Sequence, residues 1–231
     1  MHRKRLLFCC LSAFVYTSFL TKGSHGEFDN LYNGVYFDGG LFQYLLVVFD
    51  FSILSMFVFG DFTDYVNGHV AYEIIRYGKR GFLYKKLRNT LIGKVLFYEA
   101  IKIIFFTVSL LLWYDHVHIM NITKTLYLLI SVIMVKTVFM YLQSLVELFY
   151  DARVGVLLVS CLYVILLALG SVGYAHHAAS WIYILLFPNI SMGYRIQSVG
   201  IYPVGNLIVL SMVLIACAYF TKRKIKQMDV I

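Results

Sequence analysis

The chain has 231 residues, 61% of them hydrophobic and 17% aromatic against only 14% charged, and it carries a formal net charge of +8. With a mean hydropathy of +0.77, this composition excludes a soluble globular domain and marks an integral membrane protein. A hydrocarbon core about 30 Å thick takes roughly 20 apolar residues per helical crossing, so the length holds about six crossings and no soluble catalytic domain beside them.

Apolar runs fall at residues 6–20, 40–59, 91–113, 123–147, 152–174 and 203–220. Each is continuous rather than alternating, which predicts helices rather than barrel strands. The first run is short. With the preceding "MHRKR" it has the basic and apolar parts of a signal peptide, yet "SFLTKGSHG" offers no A-x-A cleavage pattern, so it is read as a retained helix, spanning or partly interfacial.

The second run places Asp50 near its middle, and after it the chain is expected to stay in the cytoplasm from Asp61 to Thr90, strongly basic over residues 71–90. Helical spacing over residues 70–77 puts Val70, Ile74 and Tyr77 on one side and Glu73, Arg76 and Arg80 toward the other, a short amphipathic helix that Gly78 and Gly81 end. In "FLYKKLRN", Phe82, Leu83 and Leu87 are placed to enter the membrane interface and the lysines to meet headgroups.

The third run carries Glu99 and Lys102 one helical turn apart, and the fourth carries Lys136 near its middle. A lone charge at a helix centre costs about 2.5–3.5 kcal/mol on insertion scales, so these charges should pair or line a wet cavity. An interhelical pair of Asp50 with Lys136 or Lys102 is expected. A plainer alternative is that the third helix starts late enough to bring Glu99 and Lys102 toward the surface, with the pairs fixing only helix register. Glu147, close to Asp151 and Arg153, reads as an ordinary helix end.

Residues 175–202 are too many for a turn and contain "SWIYILLFPNI", which is too short to span. Two readings stand: a re-entrant segment dipping into the outer leaflet, or an amphipathic segment on the surface anchored by Trp181 and Tyr183. Adjacent His176 and His177 point different ways on a helix and lack a third ligand, so no metal site is expected. Cys9, Cys10, Cys161 and Cys217 all lie in apolar runs with no metal or disulfide spacing. Sequons at Asn121 and Asn189 sit in short loops and are weak signals.

Charge fixes the expected orientation. With the N-terminus in the cytoplasm, Arg3, Lys4, Arg5, Arg76, Lys79, Arg80, Lys85, Lys86, Arg88, Arg153, Lys222, Arg223, Lys224 and Lys226 all lie inside, while the outer loops keep Lys22, Lys124 and Arg195. This asymmetry satisfies the positive-inside rule and agrees with an even number of crossings and both termini cytoplasmic. The basic charge therefore reports topology and contact with anionic lipid, not nucleic acid.

The stretch "IIRYGKR", Ile74 to Arg80, is similar to the I-R-Y-x-x-R signature of small permeases that protect bacteriocin and lantibiotic producers. The six-crossing layout, with a basic loop after the second crossing and a short outer segment before the last, resembles the membrane subunit of an ABC-2 type ABC transporter. The likeness covers the whole chain in layout and about a dozen residues in motif. It implies a single permease domain over residues 1–231, with a coupling loop at about 60–90 and an outer re-entrant or interfacial segment at about 175–202. It also implies that Glu73, Arg76, Tyr77 and Arg80 are the contact positions on a separate cytoplasmic ATPase, which would bind the ATP and Mg. The alternative for Arg76, Lys79 and Arg80 is contact with anionic lipid alone.

No G-x-x-x-x-G-K-[ST] occurs, so the chain has no phosphate cradle of its own and no cofactor is expected in it. One set of six crossings also lacks the second half of a two-fold path, which predicts a second copy or a related permease as partner. The expected function is export of a hydrophobic or amphipathic substrate, with direction and an antimicrobial-peptide cargo implied by the resemblance alone. Two other classes stay open. One is an ATP-independent carrier or stand-alone bacteriocin immunity protein, which would be insensitive to changes at Arg76 and Tyr77. The other is an intramembrane enzyme, against which stands the lack of H-E-x-x-H or a clustered Glu/His set. The low-Pro composition, rich in Lys, Tyr, Phe and Ile, suits the plasma membrane of a Gram-positive bacterium.

Overall fold

The computed structural model describes residues 2–61, 81–114, 118, 121–200 and 203–227, and among these the chain is helical, with no strand beyond an isolated bridge between Glu27 and His118. Six helices are long and apolar enough to cross a membrane, the makeup of a multi-pass membrane protein. They are α1 (His2–Lys22), α3 (Leu41–Val58), α4 (Gly81–Trp113), α5 (Ile122–Phe149), α6 (Ala152–Ala175) and α9 (Pro203–Gln227). Short helices complete the chain: α2 (Asn30–Asn33) after α1, and α7 (Ser180–Leu185), a 3-10 turn (Phe187–Ser191) and α8 (Gly193–Val199) between α6 and α9.

The helices begin and end where local chemistry dictates. Asn121 caps α5 by accepting from the Lys124 N–H at 3.0 Å, and Asp151 caps α6 by accepting from the Ala152 N–H at 2.6 Å. Inside the spans, several hydroxyls are satisfied by the carbonyl one turn back, as Thr21 on Thr17, Ser52 on Val48 and Thr107 on Ile103 show, whereas the buried Ser131 hydroxyl has no such partner among the described residues. Such back-bonding keeps polar side chains compatible with an apolar surround.

The third long helix starts at Gly81, ten residues earlier than the apolar run suggests. The reason is amphipathicity: Leu87, Leu91 and Val95 are buried on one face while Lys85, Lys86 and Arg88 are exposed on the other, so the basic residues extend the helix instead of ending it. A late start that would let Glu99 and Lys102 surface is therefore ruled out; both are buried.

Helix α5 is the centre of the bundle, with 61% of its span buried against 17% for α9 at the periphery. It packs against α4, α6 and α9. Phe51 of α3 stacks on Tyr163 of α6 at 4.0 Å between ring centres, and Phe139 of α5 meets both rings edge-on at 5.3 Å. This aromatic triad sets the register of α3 against α5, because Phe51 neighbours Asp50 and Phe139 lies one turn from Lys136.

One end of the bundle gathers the start of α1, the end of α3 and the ends of α5 and α9. Arg5 donates to the Phe59 carbonyl at 2.5 Å and to Asp61 at 3.3 Å. Lys94 of α4 pairs with the same Asp61 and donates to the Phe57 carbonyl at 2.8 Å. Lys224 of α9 lies 4.1 Å from the Phe149 ring. Glu147, by sequence an ordinary helix end, is buried there, accepting from Gln143 at 3.0 Å and from the Gly60 N–H at 3.5 Å. Gly155 makes room for it, since a Cβ there would stand 2.7 Å from Glu147 Cγ.

At the far end, two segments sink into the bundle as a cap. The first, after α1, is tied to the start of α5 by Asp29, which accepts from the Thr125 hydroxyl and from the Asn121 N–H at 3.4 Å. The second is the α7/α8 hairpin. Its Asn189 donates to the Leu166 carbonyl at 3.0 Å, and Leu166 lies about 13 Å along α6 from that helix's end at Ala175. The hairpin thus runs down alongside α6 instead of lying across its tip. Tyr183, expected as a surface anchor, is buried, whereas Trp181 is exposed. The two cap segments join through the stacked rings of Tyr36 and Tyr194, 3.9 Å apart, and through Tyr194 donating to Asn30 at 3.0 Å.

Candidate functional site

The bundle's interior holds four charges in a closed ring. Asp50 comes from α3, Glu99 and Lys102 from α4, and Lys136 from α5. Lys102 Nζ stands 3.0 Å from Asp50 Oδ1 and 3.3 Å from Glu99 Oε2. Lys136 Nζ stands 2.6 Å from Asp50 Oδ2 and 2.5 Å from Glu99 Oε1. Each carboxylate therefore bridges both ammonium groups, and each ammonium bridges both carboxylates. All four side chains are buried, and the set is electrically neutral.

Tyrosines complete the shell. Tyr98 donates to Asp50 Oδ1 at 2.7 Å, and Tyr32, reaching in from α2, donates to Glu99 at 3.4 Å. Burial, with the Glu99 and Asp50 charges next, pushes the Tyr32 phenol far above its ordinary value, so it stays a neutral donor. The Lys102 ammonium also faces the Tyr16 ring at 5.3 Å, and the Lys136 ammonium faces the Tyr98 ring at 4.9 Å. Deep burial of charge is tolerable only with such saturated pairing. The ammonium groups fill the space between the two carboxylates, which leaves no converging oxygen set for a metal ion. Chemically, the ring can exchange partners or protons between neighbours, or lock three helices in one register.

Sequence reasoning singled out all four of these residues, and the structure brings them together; Lys136 and Lys102 share Asp50 rather than competing for it. The other sequence-derived positions, Glu73, Arg76, Tyr77 and Arg80, lie outside the described residues.

A third buried cation, Arg195, is an outer-loop charge by sequence alone. Arg195 of α8 is 1% exposed and carries no carboxylate partner among the described residues. Its Nε donates to the Val35 carbonyl at 3.0 Å, Nη1 to the Leu167 carbonyl at 3.2 Å and to Asn189, and Nη2 to Tyr44 at 2.6 Å and Ser171 at 3.2 Å. A guanidinium has five N–H donors, and all five are used. Burial pulls its basicity down, with the Tyr44 oxygen opposing. The group clamps the first cap segment, α3, α6 and the hairpin together and keeps no donor for an incoming anion. No spacing in the sequence could have revealed this, because most of its acceptors are main-chain carbonyls and hydroxyls. The weak sequon at Asn189 also falls away: that side chain is buried and committed to Leu166 and Arg195.

No curated protein and no solved structure matches the chain. A family model does match, over residues 5–231, which is nearly the whole length, and the chain therefore belongs to the family described as protein of unknown function DUF2705.

Proposed function

We propose that the chain is the membrane-spanning permease subunit of an ATP-driven exporter of the ABC-2 type. It would sit in a bacterial plasma membrane with both termini in the cytoplasm, beside a second copy or a related permease, and draw its energy from a separate ATPase chain. The cargo class is a hydrophobic or amphipathic molecule, an antimicrobial peptide among them. The observation that carries this reading is the layout: six long apolar helices, a basic sequence between the second and third that follows Asp61, and a partly buried hairpin between the fifth and sixth.

The mechanics suit that role. Asp61, where the link begins, is held by Arg5 of α1 and Lys94 of α4, and Gly60 beside it bonds to Glu147 of α5. A push delivered through the link would thus reach four helices directly. Replacing Tyr77 with the photo-crosslinking residue p-benzoylphenylalanine in intact cells tests it. The expected adduct contains an ATP-binding protein; adducts with lipid alone would overturn the docking role.

A second reading, an ATP-independent carrier, has one observation in its favour: ionisable residues buried in mid-span commonly mark ion or proton paths. It requires activity without any ATPase and indifference to Arg76→Ala.

A further inference from the structure

A cleft of about 430 Å³ opens on the flank of the bundle between α1 and α3, backed by the first cap segment. Its walls are mainly apolar, Leu20, Leu31, Leu46 and Val47 with Asn30 and Tyr194 among them, and it is also lined by Tyr16, the ring that faces the Lys102 ammonium. Phe19 and Phe42 stand at the mouth, meet edge-on at 6.1 Å between centres, and are 49% and 60% exposed. Both belong to helices of membrane-spanning length, Phe19 one turn before the end of α1 and Phe42 in the first turn of α3.

Charge at the rim is one-sided. Lys22, in the last turn of α1, lines the cleft, is exposed, and makes no ion pair or hydrogen bond among the described residues. The exposed side chain of Gln43 also lines the cleft, and no carboxylate does. From Tyr16 to Lys22 the helix rises about 9 Å, which sets an apolar slot of that depth beneath a free cation. A lysine that merely snorkels to the interface needs no slot below it.

We propose that this cleft is a binding site for an anionic phospholipid, the upper part of one acyl chain lying in the slot and the phosphate meeting Lys22. The occupant is committed by complementarity: an apolar body is required by the walls, and a negative head by a rim that carries a cation and no anion. Because Tyr16 faces the charge ring, an occupied slot presses on the packing around Lys102. The site does not depend on the transport reading and is testable without an ATPase.

Native mass spectrometry of the full chain in neutral detergent, titrated with phosphatidylglycerol or with phosphatidylcholine of the same chain length, tests the site. Wild type should retain one phosphatidylglycerol about fivefold more tightly than phosphatidylcholine, the effect of roughly one lysine near a headgroup. Lys22→Gln, a change at an exposed position, should abolish the headgroup preference while one lipid of either kind is still retained. Gln43→Trp, which crowds the mouth, should lose the retained lipid of both kinds. Equal retention of the two lipids by wild type, or a preference that survives Lys22→Gln, would overturn the proposal.

Discussion

Lys136 Nζ stands 2.6 Å from Asp50 Oδ2, although 86 residues separate the two in the chain. The contact joins α5 to α3 at mid-span, and because Lys136 also reaches Glu99 it draws α4 into the same knot. Neutrality, not any one pair, is what the ring conserves.

Charge balance should therefore govern the mutants. Asp50→Asn leaves a surplus buried cation and should cost about 3–5 kcal/mol, the usual effect of removing one partner of a buried pair. Asp50→Asn/Lys136→Gln leaves Glu99 with Lys102, which stand 3.3 Å apart, and should recover a large part of that loss. Asp50→Asn/Glu99→Gln leaves two adjacent ammonium groups and should be worse than either single change. Folded yield by fluorescence-detected size exclusion ranks the set; equal losses for the neutral and like-charge doubles would refute a shared ring.

Arg195 should tolerate no substitute. Lysine keeps the charge but cannot fork to five acceptors in three directions, so Arg195→Lys and Arg195→Ala should both destabilise, by about 2 kcal/mol or more, through buried carbonyls and hydroxyls left without donors. Thermal unfolding of the two variants checks this. A lysine variant with wild-type stability would mean that the charge alone matters.

Gly170 faces the side chain of Asn189, and a Cβ there would collide with the amide that bonds Leu166 and Arg195. Gly170→Ala should thus loosen the hairpin, by about 1–3 kcal/mol as overpacked sites do. The partial cure is specific: Gly170→Ala/Asn189→Ala should lose less than the sum of the two single changes, as a thermal double-mutant cycle would record.

Much of this was legible in the sequence, and the rest was hidden for identifiable reasons. Continuous apolar runs located all six long helices, because a bilayer-length run has few other uses. The four ring residues stood out for the same reason, as charges where hydrocarbon was expected. Arg195 did not, since it lies in a segment too short to span, where a cation looks like an ordinary loop residue; only the descent of the hairpin beside α6 makes it buried. The early start of α4 was masked because its exposed face is basic, and a hydropathy average over Lys85, Lys86 and Arg88 hides the buried stripe of Leu87, Leu91 and Val95.

At the basic end, Asp61→Asn should have a milder effect, about 1 kcal/mol, because its partners are partly exposed and keep other acceptors. Arg5 retains the Phe59 carbonyl and Lys94 the Phe57 carbonyl. If the link beside Asp61 carries force from an ATPase, the same change should uncouple ATP hydrolysis from transport far more than it lowers the unfolding temperature. Parallel measurement of both quantities separates the two effects.

The most direct test of the transporter account is to purify the tagged chain from its native membrane in mild detergent and assay for a co-purifying ATPase, beside an Arg76→Ala/Tyr77→Ala variant. The account predicts that an ATPase subunit and its activity accompany the wild type and fall away with the variant, while both chains elute as folded protein. Wild-type chain that comes out folded with no ATPase attached would contradict it and turn attention to the stand-alone carrier.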